Sequence, residues 1–455
     1  MSDINKVESR LVDPEPPLVR DELAHIGCGL RFARNPTAFF EELRAEYGDT
    51  FLVDVFGYRL FCLFSPAGLE SLYELEEEKA SFGFATFDLM SFKTPTEVFL
   101  DTDLNLFYEL LRYKKLPQYI DTINQVLDLE LQRWGSEGEI DIFDAIRTLE
   151  QRIGFALWIG EDAAQEGTWQ AIKARLDILS QESAFVSPDQ TLETIVSNKS
   201  AERQALAELH QILQDLWSAR SGEQSDTYQF LMDRFADFSP EEQQRRAIHN
   251  IINANQGFLS NLYAAIAWVV VNTLRYPLVM TNLKQELAET KSRQGDGCLT
   301  DLKALESMQY FEQVLMESVR MAQRSITLRK VLQPVSVDDG TQRYQVNPGC
   351  YITTMLSVTN TQTEALSVFD PDHYTGNKLK TELLAGGEHT VSTFGHGKHA
   401  CPAQKFSHVM CKIVVARLIE HYEWEPLFDN AEPATHQMGG VARPESIVRA
   451  RYRKR

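Results

Sequence analysis

The sequence predicts a mainly α fold with small β-sheets. Apolar residues recur at i, i+3, i+4 and i+7 through most of residues 104–236, and residues 239–274 read as one long buried helix. β-type runs are confined to residues 50–63 and 331–351. The composition is globular, with 43% hydrophobic and 24% charged residues, which excludes a disordered chain. A formal charge of −20, from 45 Lys or Arg against 65 Asp or Glu, argues against nucleic acid as the main partner.

Taken in order, residues 1–17 read as a flexible acidic tail and residues 18–455 as a single domain. Residues 1–20 hold no apolar stretch of the kind a signal peptide or anchor needs, so the expectation is a cytoplasmic protein with no membrane anchor. Six cysteines without C-x-x-C spacing agree with a reducing compartment. Residues 35–47 form an amphipathic helix opened by Asn35-Pro36, and residues 50–55 and 58–63 form strands around Phe56-Gly57. Residues 66–74 return to helical spacing. The Phe-rich stretch 81–99 has no period and is expected to be a loop with an apolar underside.

Helices are expected at residues 104–134, 142–160, 168–181, 201–219 and 228–236. The segment 239–274 opens with Ser239-Pro240-Glu241-Glu242, and its ten mostly apolar residues 262–271 are too few to span a bilayer. A helix at 277–291, a small sheet over 331–351 with Asp-Asp-Gly and Asn-Pro-Gly turns, and a last helix at 412–422 complete the pattern.

Residues 392–407 read STFGHGKHACPAQKFS. Proline suits the first position of a helix, so Pro402 places Cys401 at a helix N-cap, where unpaired N–H groups favour a thiolate. Such a sulfur can be a nucleophile or an iron ligand. Gly395 and Gly397 let the backbone lie against a flat partner, Phe394 supplies an apolar wall, and His399 can donate to an acidic group. Three other readings compete. Cys401 could be a small buried hydrophobe, a zinc ligand with His396, His399 and His408, or a nucleophile whose Asp or Asn partner has no sequence signal.

Phe394-x-x-Gly397-x-His399-x-Cys401 resembles the haem-binding signature of the cytochrome P450 superfamily, with Ala403 where that family has a second glycine. The resemblance implies the cytochrome P450 fold, with a long central helix over haem b and Cys401 as the thiolate ligand of its iron. Glu317-x-x-Arg320 resembles the family's buried E-x-x-R pair, which a downstream Arg completes; here Phe369-Asp-Pro371-Asp-His373 puts His373 in that place. Ser325-Ile326-Thr327-Leu328-Arg329 resembles the strand that passes the haem, implying a pocket wall and Arg329 on a propionate. Tyr108-x-x-x-Arg112 resembles a Trp-x-x-x-Arg pair that reaches the other propionate. In this fold Phe84, Phe87 and Phe92 would form the pocket roof, and Phe258 would face the substrate. The opening PPLVRDELAHIGCGL and the ending MGGVARPESIVRARYR are similar to the branch of prostacyclin synthase and the cholesterol and oxysterol hydroxylases.

Monooxygenases of the family usually carry an acid followed by Thr in the central helix, a pair that sterol hydroxylases of this branch lack, and this chain has Ala254-Asn255-Gln256-Gly257-Phe258-Leu259. Asn253, Gly257 and Ser260 fall on or near one helical face, with Asn255 and Gln256 beside it, and are the candidate catalytic residues. Their amides either meet a ligand or satisfy each other and water. The resemblance implies dioxygen-dependent oxidation of an apolar, lipid-like or aromatic small molecule. Electrons would come from a ferredoxin or flavoprotein docking on Arg112, Lys114, Lys115, Lys398 and Lys405. The alternative is an isomerase or dehydratase that rearranges a peroxide without a redox partner, as allene oxide synthases do.

Overall fold

A computed structural model of the chain describes residues 15–20, 25–180, 193–194, 196–219, 226–376, 378–383 and 387–455, with the backbone alone at residues 104, 226, 256–260 and 382–383. Most of the acidic tail therefore lies outside the described residues. Its end does not, because the Pro17 carbonyl accepts from Leu52 N–H at 2.8 Å and Leu18–Val19 joins a sheet.

The long helix Pro240–Arg275 is the axis of the fold. Pro240 sits in its first turn and Ser239 caps it, the hydroxyl accepting from Glu242 N–H. Its C-terminal half, from Leu262 to Val271, is fully wrapped by neighbours, chiefly the helix Ile142–Trp158. Register along that pair is set by Phe143 edge-on to Trp268 and by Arg147 over Tyr263. The helices Gln309–Ala322 and Gln404–His421 pack on its other sides.

The main sheet has six strands, β1 (Leu18–Val19), β2 (Thr50–Val55), β3 (Tyr58–Leu63), β4 (Ala80–Ser81), β5 (Ile326–Val331) and β6 (Cys350–Met355), in the order β1-β2-β3-β6-β5-β4. It delivers Arg329 from β5, the strand next to the edge strand β4. The expected small sheet over residues 331–351 is instead divided. Val335–Asp338 and Arg343–Val346 form a separate ribbon, while the following strand joins the main sheet beside β3.

Three further expectations are corrected. Residues 81–99 are not a loop. Ser81 Oγ caps the helix Phe82–Met90 by accepting from Phe84 N–H at 2.9 Å, and Thr96–Leu100 forms a second short helix. Capping by one serine is a local signal that a Phe-rich stretch without a period obscures. Residues 104–134 are not one helix, for Pro117 cannot donate the N–H that a continuous helix needs. The chain breaks into Leu104–Leu110, a single tight turn Tyr113–Lys115, and Leu116–Trp134 with Pro117 in its first turn. The last helix begins eight residues earlier than expected, at Gln404 rather than 412.

Candidate active site

The helix Gln309–Ala322 buries Glu317 and Arg320 one turn apart, both 0% exposed. Charges that deep need complete pairing. Arg320 Nε and Nη2 grip the Glu317 carboxylate at 2.7 and 2.6 Å, and Nη1 donates to the carbonyls of Asn360 and Leu366, both at 2.6 Å. Glu317 Oε1 also accepts from Asp370 N–H at 2.8 Å and meets His373 Nδ1 at 3.1 Å. Burial pushes the Glu317 carboxyl up, but Arg320 first and then His373 pull it below its ordinary value. His373 is thus a member of the buried cluster.

Asn360 links this pair to the cysteine loop. Its amide donates to the carbonyls of Arg320 and Ser392, and its oxygen accepts from Ser392 N–H at 2.8 Å. No sequence motif announced it.

The loop then tightens around Cys401, whose N–H donates to the Phe394 carbonyl at 2.6 Å. Gly395 lies at φ 75°, and a Cβ there would stand 2.9 Å from the His399 carbonyl oxygen. Only glycine closes this turn. The expected N-cap position is corrected, because Ala403 is the N-cap of the helix Gln404–His421 and Cys401 lies two residues before it. The N–H groups of Ala403 and Gln404 still bond the sulfur; burial nonetheless holds the thiol above its ordinary value. A cation at the sulfur is what would turn that balance.

Arg329 is 1% exposed. Its Nη1 donates to the Leu328 carbonyl at 3.0 Å, while Nε and Nη2 have no hydrogen-bond partner among the described residues. The guanidinium lies 5.2 Å from the Phe82 ring, and that ring is 5.1 Å from the ring of His399. His399 Nε2 is 3.4 Å from Glu77, a partner that sequence reasoning missed. Burial and then Arg329 hold the His399 imidazole below its ordinary value. Two buried guanidinium donors without partners, linked through Phe82 to an imidazole two residues before Cys401, fit a flat cofactor that carries carboxylates and a thiolate-binding metal. By contrast, Tyr108 is 51% exposed and Arg112 is exposed, so the structure gives that pair none of the burial of Arg329.

The zinc reading fails on geometry. No group of three or more His, Cys, Asp or Glu among the described residues could hold a metal ion. His396 Nε2 turns to the Val391 carbonyl and His408 Nδ1 to Glu312. All six cysteines are free.

On the central helix, Asn253 Nδ2 donates to Val98 O at 3.1 Å and to Thr102 Oγ1 at 2.5 Å. Asn255 Nδ2 donates to Ile251 O at 2.8 Å, while its oxygen, near Gly154, has no partner among the described residues. These amides serve the protein before any ligand. The side chains of Gln256, Phe258 and Ser260, and the surroundings of Gly257, lie outside the described residues. One turn on, Asn261 Oδ1 accepts from Val441 N–H at 2.9 Å, and Ser325 Oγ accepts from Gly440 N–H at 3.1 Å. The 439–441 turn thereby closes onto both helix and strand, a role that the Gly439-Gly440 pair hints at and that sequence reasoning did not assign. Ile326 packs on the apolar cluster behind the main sheet, and Thr327 pairs with Thr354 in β6. Of the Phe cluster, Phe87 packs edge-on against Phe99 at 5.8 Å, whereas Phe84 and Phe92 are 56% and 36% exposed.

On the cysteine side, Lys405 Nζ lies 5.0 Å from the Tyr113 ring, which brings the 112–115 turn to the start of the last helix. Arg112, Lys114, Lys398 and Lys405 are exposed, while Lys115 folds over Phe230. No single described helix is long and apolar enough to cross a membrane.

The comparisons with known proteins agree with this geometry. The family model for cytochrome P450 matches residues 16–449. Mouse cytochrome P450 7B1 is 22% identical over 96% of this chain and 90% of its own length. Human 24-hydroxycholesterol 7-alpha-hydroxylase is 21% identical, covering 97% and 94%. Sterol 14alpha-demethylase of Mycolicibacterium vanbaalenii is 23% identical, covering 93% and 94%. Among solved structures, retinoic acid bound cyanobacterial CYP120A1 superposes with a TM-score of 0.75 at 18% identity, covering 97% of this chain and 100% of that one. With the buried E-x-x-R cluster, the glycine-closed cysteine turn and a match over nearly its whole length, this chain belongs to the cytochrome P450 family of haem-thiolate enzymes.

Proposed function

We propose that this cytochrome P450 oxidises an apolar, lipid-like or aromatic small molecule with dioxygen, using electrons from a ferredoxin or flavoprotein. The observation that carries this reading is the fate of the central-helix amides. An isomerase that orients a peroxide through side-chain amides needs their N–H groups free, yet both N–H groups of Asn253 are spent on Val98 and Thr102 and one of the two on Asn255 is spent on Ile251. Relatives named for 7-alpha-hydroxylation of 24-hydroxycholesterol and for sterol 14alpha-demethylation support a sterol-like or similarly apolar substrate.

In this reading Cys401 would hold the iron, and Arg329 and His399 would hold the propionates. Bound haem supplies the iron at which dioxygen is activated, with the thiolate favouring O–O cleavage. The chain's own residues position and exclude. Asn253 anchors the 98–102 segment over the middle of the central helix, and Asn261 and Ser325 fix the 439–441 turn opposite. None of the side chains at residues 254–259 carries a titratable proton, so protons reach the site through solvent rather than from an acid–alcohol pair. An acidic redox partner would meet Arg112, Lys114, Lys398 and Lys405.

The test offers the purified holoenzyme a lipid hydroperoxide without reductant and, separately, sterols with ferredoxin, reductase and dioxygen. Turnover that needs the reductant is the expected result. Rapid turnover of the hydroperoxide alone would establish the isomerase instead.

A further inference from the structure

The N-terminal half of the central helix devotes a whole stripe to one short turn. Arg245, Arg246, His249, Asn250 and Asn253 recur at three- and four-residue spacing, and all of them reach residues 98–103. Asp101 is the centre. Its carboxylate meets Arg245 Nε at 3.1 Å, Arg246 Nη1 at 3.5 Å and His249 Nδ1 at 2.8 Å, and its carbonyl accepts from Asn250 Nδ2 at 2.8 Å. Asn250 Oδ1 in turn accepts from Asp103 N–H at 2.9 Å. Asp101 and His249 are both buried.

The other face of His249 meets His210 of the helix Ser200–Ala219, edge-on at 4.9 Å and 83°. A cavity of about 400 Å³ opens between turn, helix and central helix, with Leu100 and Leu206 on its apolar side and the two imidazoles on its polar side. The charged groups facing the pair are Glu97 and Asp101 from the turn, Arg203 from the Ser200–Ala219 helix, and Arg245 and Arg246 from the central helix.

We propose that Asp101 is a positioning residue which, through His249 and His210, tethers the 96–103 wall to the central helix and to the Ser200–Ala219 helix, so that ligands enter the pocket faster in acid. The inference rests on the proposed function and extends it by taking the 96–103 segment, which Asn253 holds to the middle of the central helix, as a wall of the substrate pocket. Closed packing keeps both rings neutral. Burial, then His249 and Arg245, hold His210 at about 4, and burial outweighs Asp101 in holding His249 below its ordinary value. Proton uptake therefore favours an opened arrangement in which the rings regain ordinary values. For His210 the tether is fully present above about pH 6.5 and is lost as pH falls from there toward 4, each unit weakening it up to about tenfold, and the lowered His249 acts in the same direction.

The test is stopped-flow binding of an aryl-1,2,4-triazole, which stays neutral over the range, to the ferric holoenzyme, read by the Soret shift. Between about pH 7.5 and about pH 5 the entry rate should rise about tenfold or more, and His210→Phe, which keeps the ring contact but cannot protonate, should cut that rise to about threefold or less. Asp101→Asn should speed entry at neutral pH, with the carbon monoxide spectrum of the reduced protein unchanged. A flat parent profile, or an undiminished rise in His210→Phe, overturns the tether. A parent protein that gives no red-shifted carbon monoxide band would fail the haem-thiolate reading itself, a separate outcome.

Discussion

His373 takes the place that an arginine holds in the family pattern, and its removal gives a sharp test of the buried cluster. In His373→Ala the Glu317 carboxylate keeps Arg320 Nε and Nη2 and the N–H of Asp370, but loses the Nδ1 contact at 3.1 Å. One hydrogen bond to a charged group contributes about 1.5–3 kcal/mol, and the site cannot refill with water easily because His373 is 4% exposed and Glu317 is 0% exposed. With the imidazole volume also lost, the cost is about 2–4 kcal/mol. For 455 residues the unfolding entropy is about 1 kcal/mol per kelvin, so Tm falls by about 2–4 °C. Scanning calorimetry of holoenzyme at neutral pH reads this directly. The sign with pH follows from Glu317. Its folded value is lowered, so its contribution is present above its ordinary value and is lost as pH falls through the folded one. The gap between parent and variant should therefore narrow in acid. A shift under about 1 °C at neutral pH would refute the cluster as drawn.

Three further outcomes are expected. Cys401→Ser should abolish the red-shifted carbon monoxide band, which is checked by the difference spectrum of reduced protein. Arg329→Met should lower the haem-to-protein ratio after gel filtration, because the two unpartnered donors of a 1% exposed guanidinium are gone; Arg112→Ala, exposed, should leave that ratio unchanged. Gly440→Ala should lower Tm by a few degrees, since φ is 64° and the new Cβ would collide with Asn261 Oδ1; a neutral result by differential scanning fluorimetry would show that the turn yields.

The legible parts were those written locally. Cys401, Gly395, Glu317 and Arg320 sit in fixed spacings that resemble the family's signatures, and Ser239-Pro240 marked the start of the central helix correctly. Illegible were the residues that act alone and at a distance. Asn360, Glu77 and Asp101 belong to no motif in the sequence, and each acquires its role from a partner far away in the chain. The partners of Asn253 and Asn255 were illegible for the same reason, since they are fixed only by packing. The 81–99 stretch was obscured by its phenylalanines, though Ser81 held the local cue.

Asn360 carries a consequence for assembly order. Because one carboxamide bonds Arg320 on one side and Ser392 on the other, the ion pair and the cysteine loop behave as one cooperative unit. Loading of the cofactor is then a late step, open only to chains whose buried pair has already closed. Hydrogen exchange in the apoprotein would show it as amides of residues 317–322 and 391–394 gaining protection together. Exchange of the loop independently of the helix would mean that the cofactor itself, rather than the asparagine, organises its own cradle.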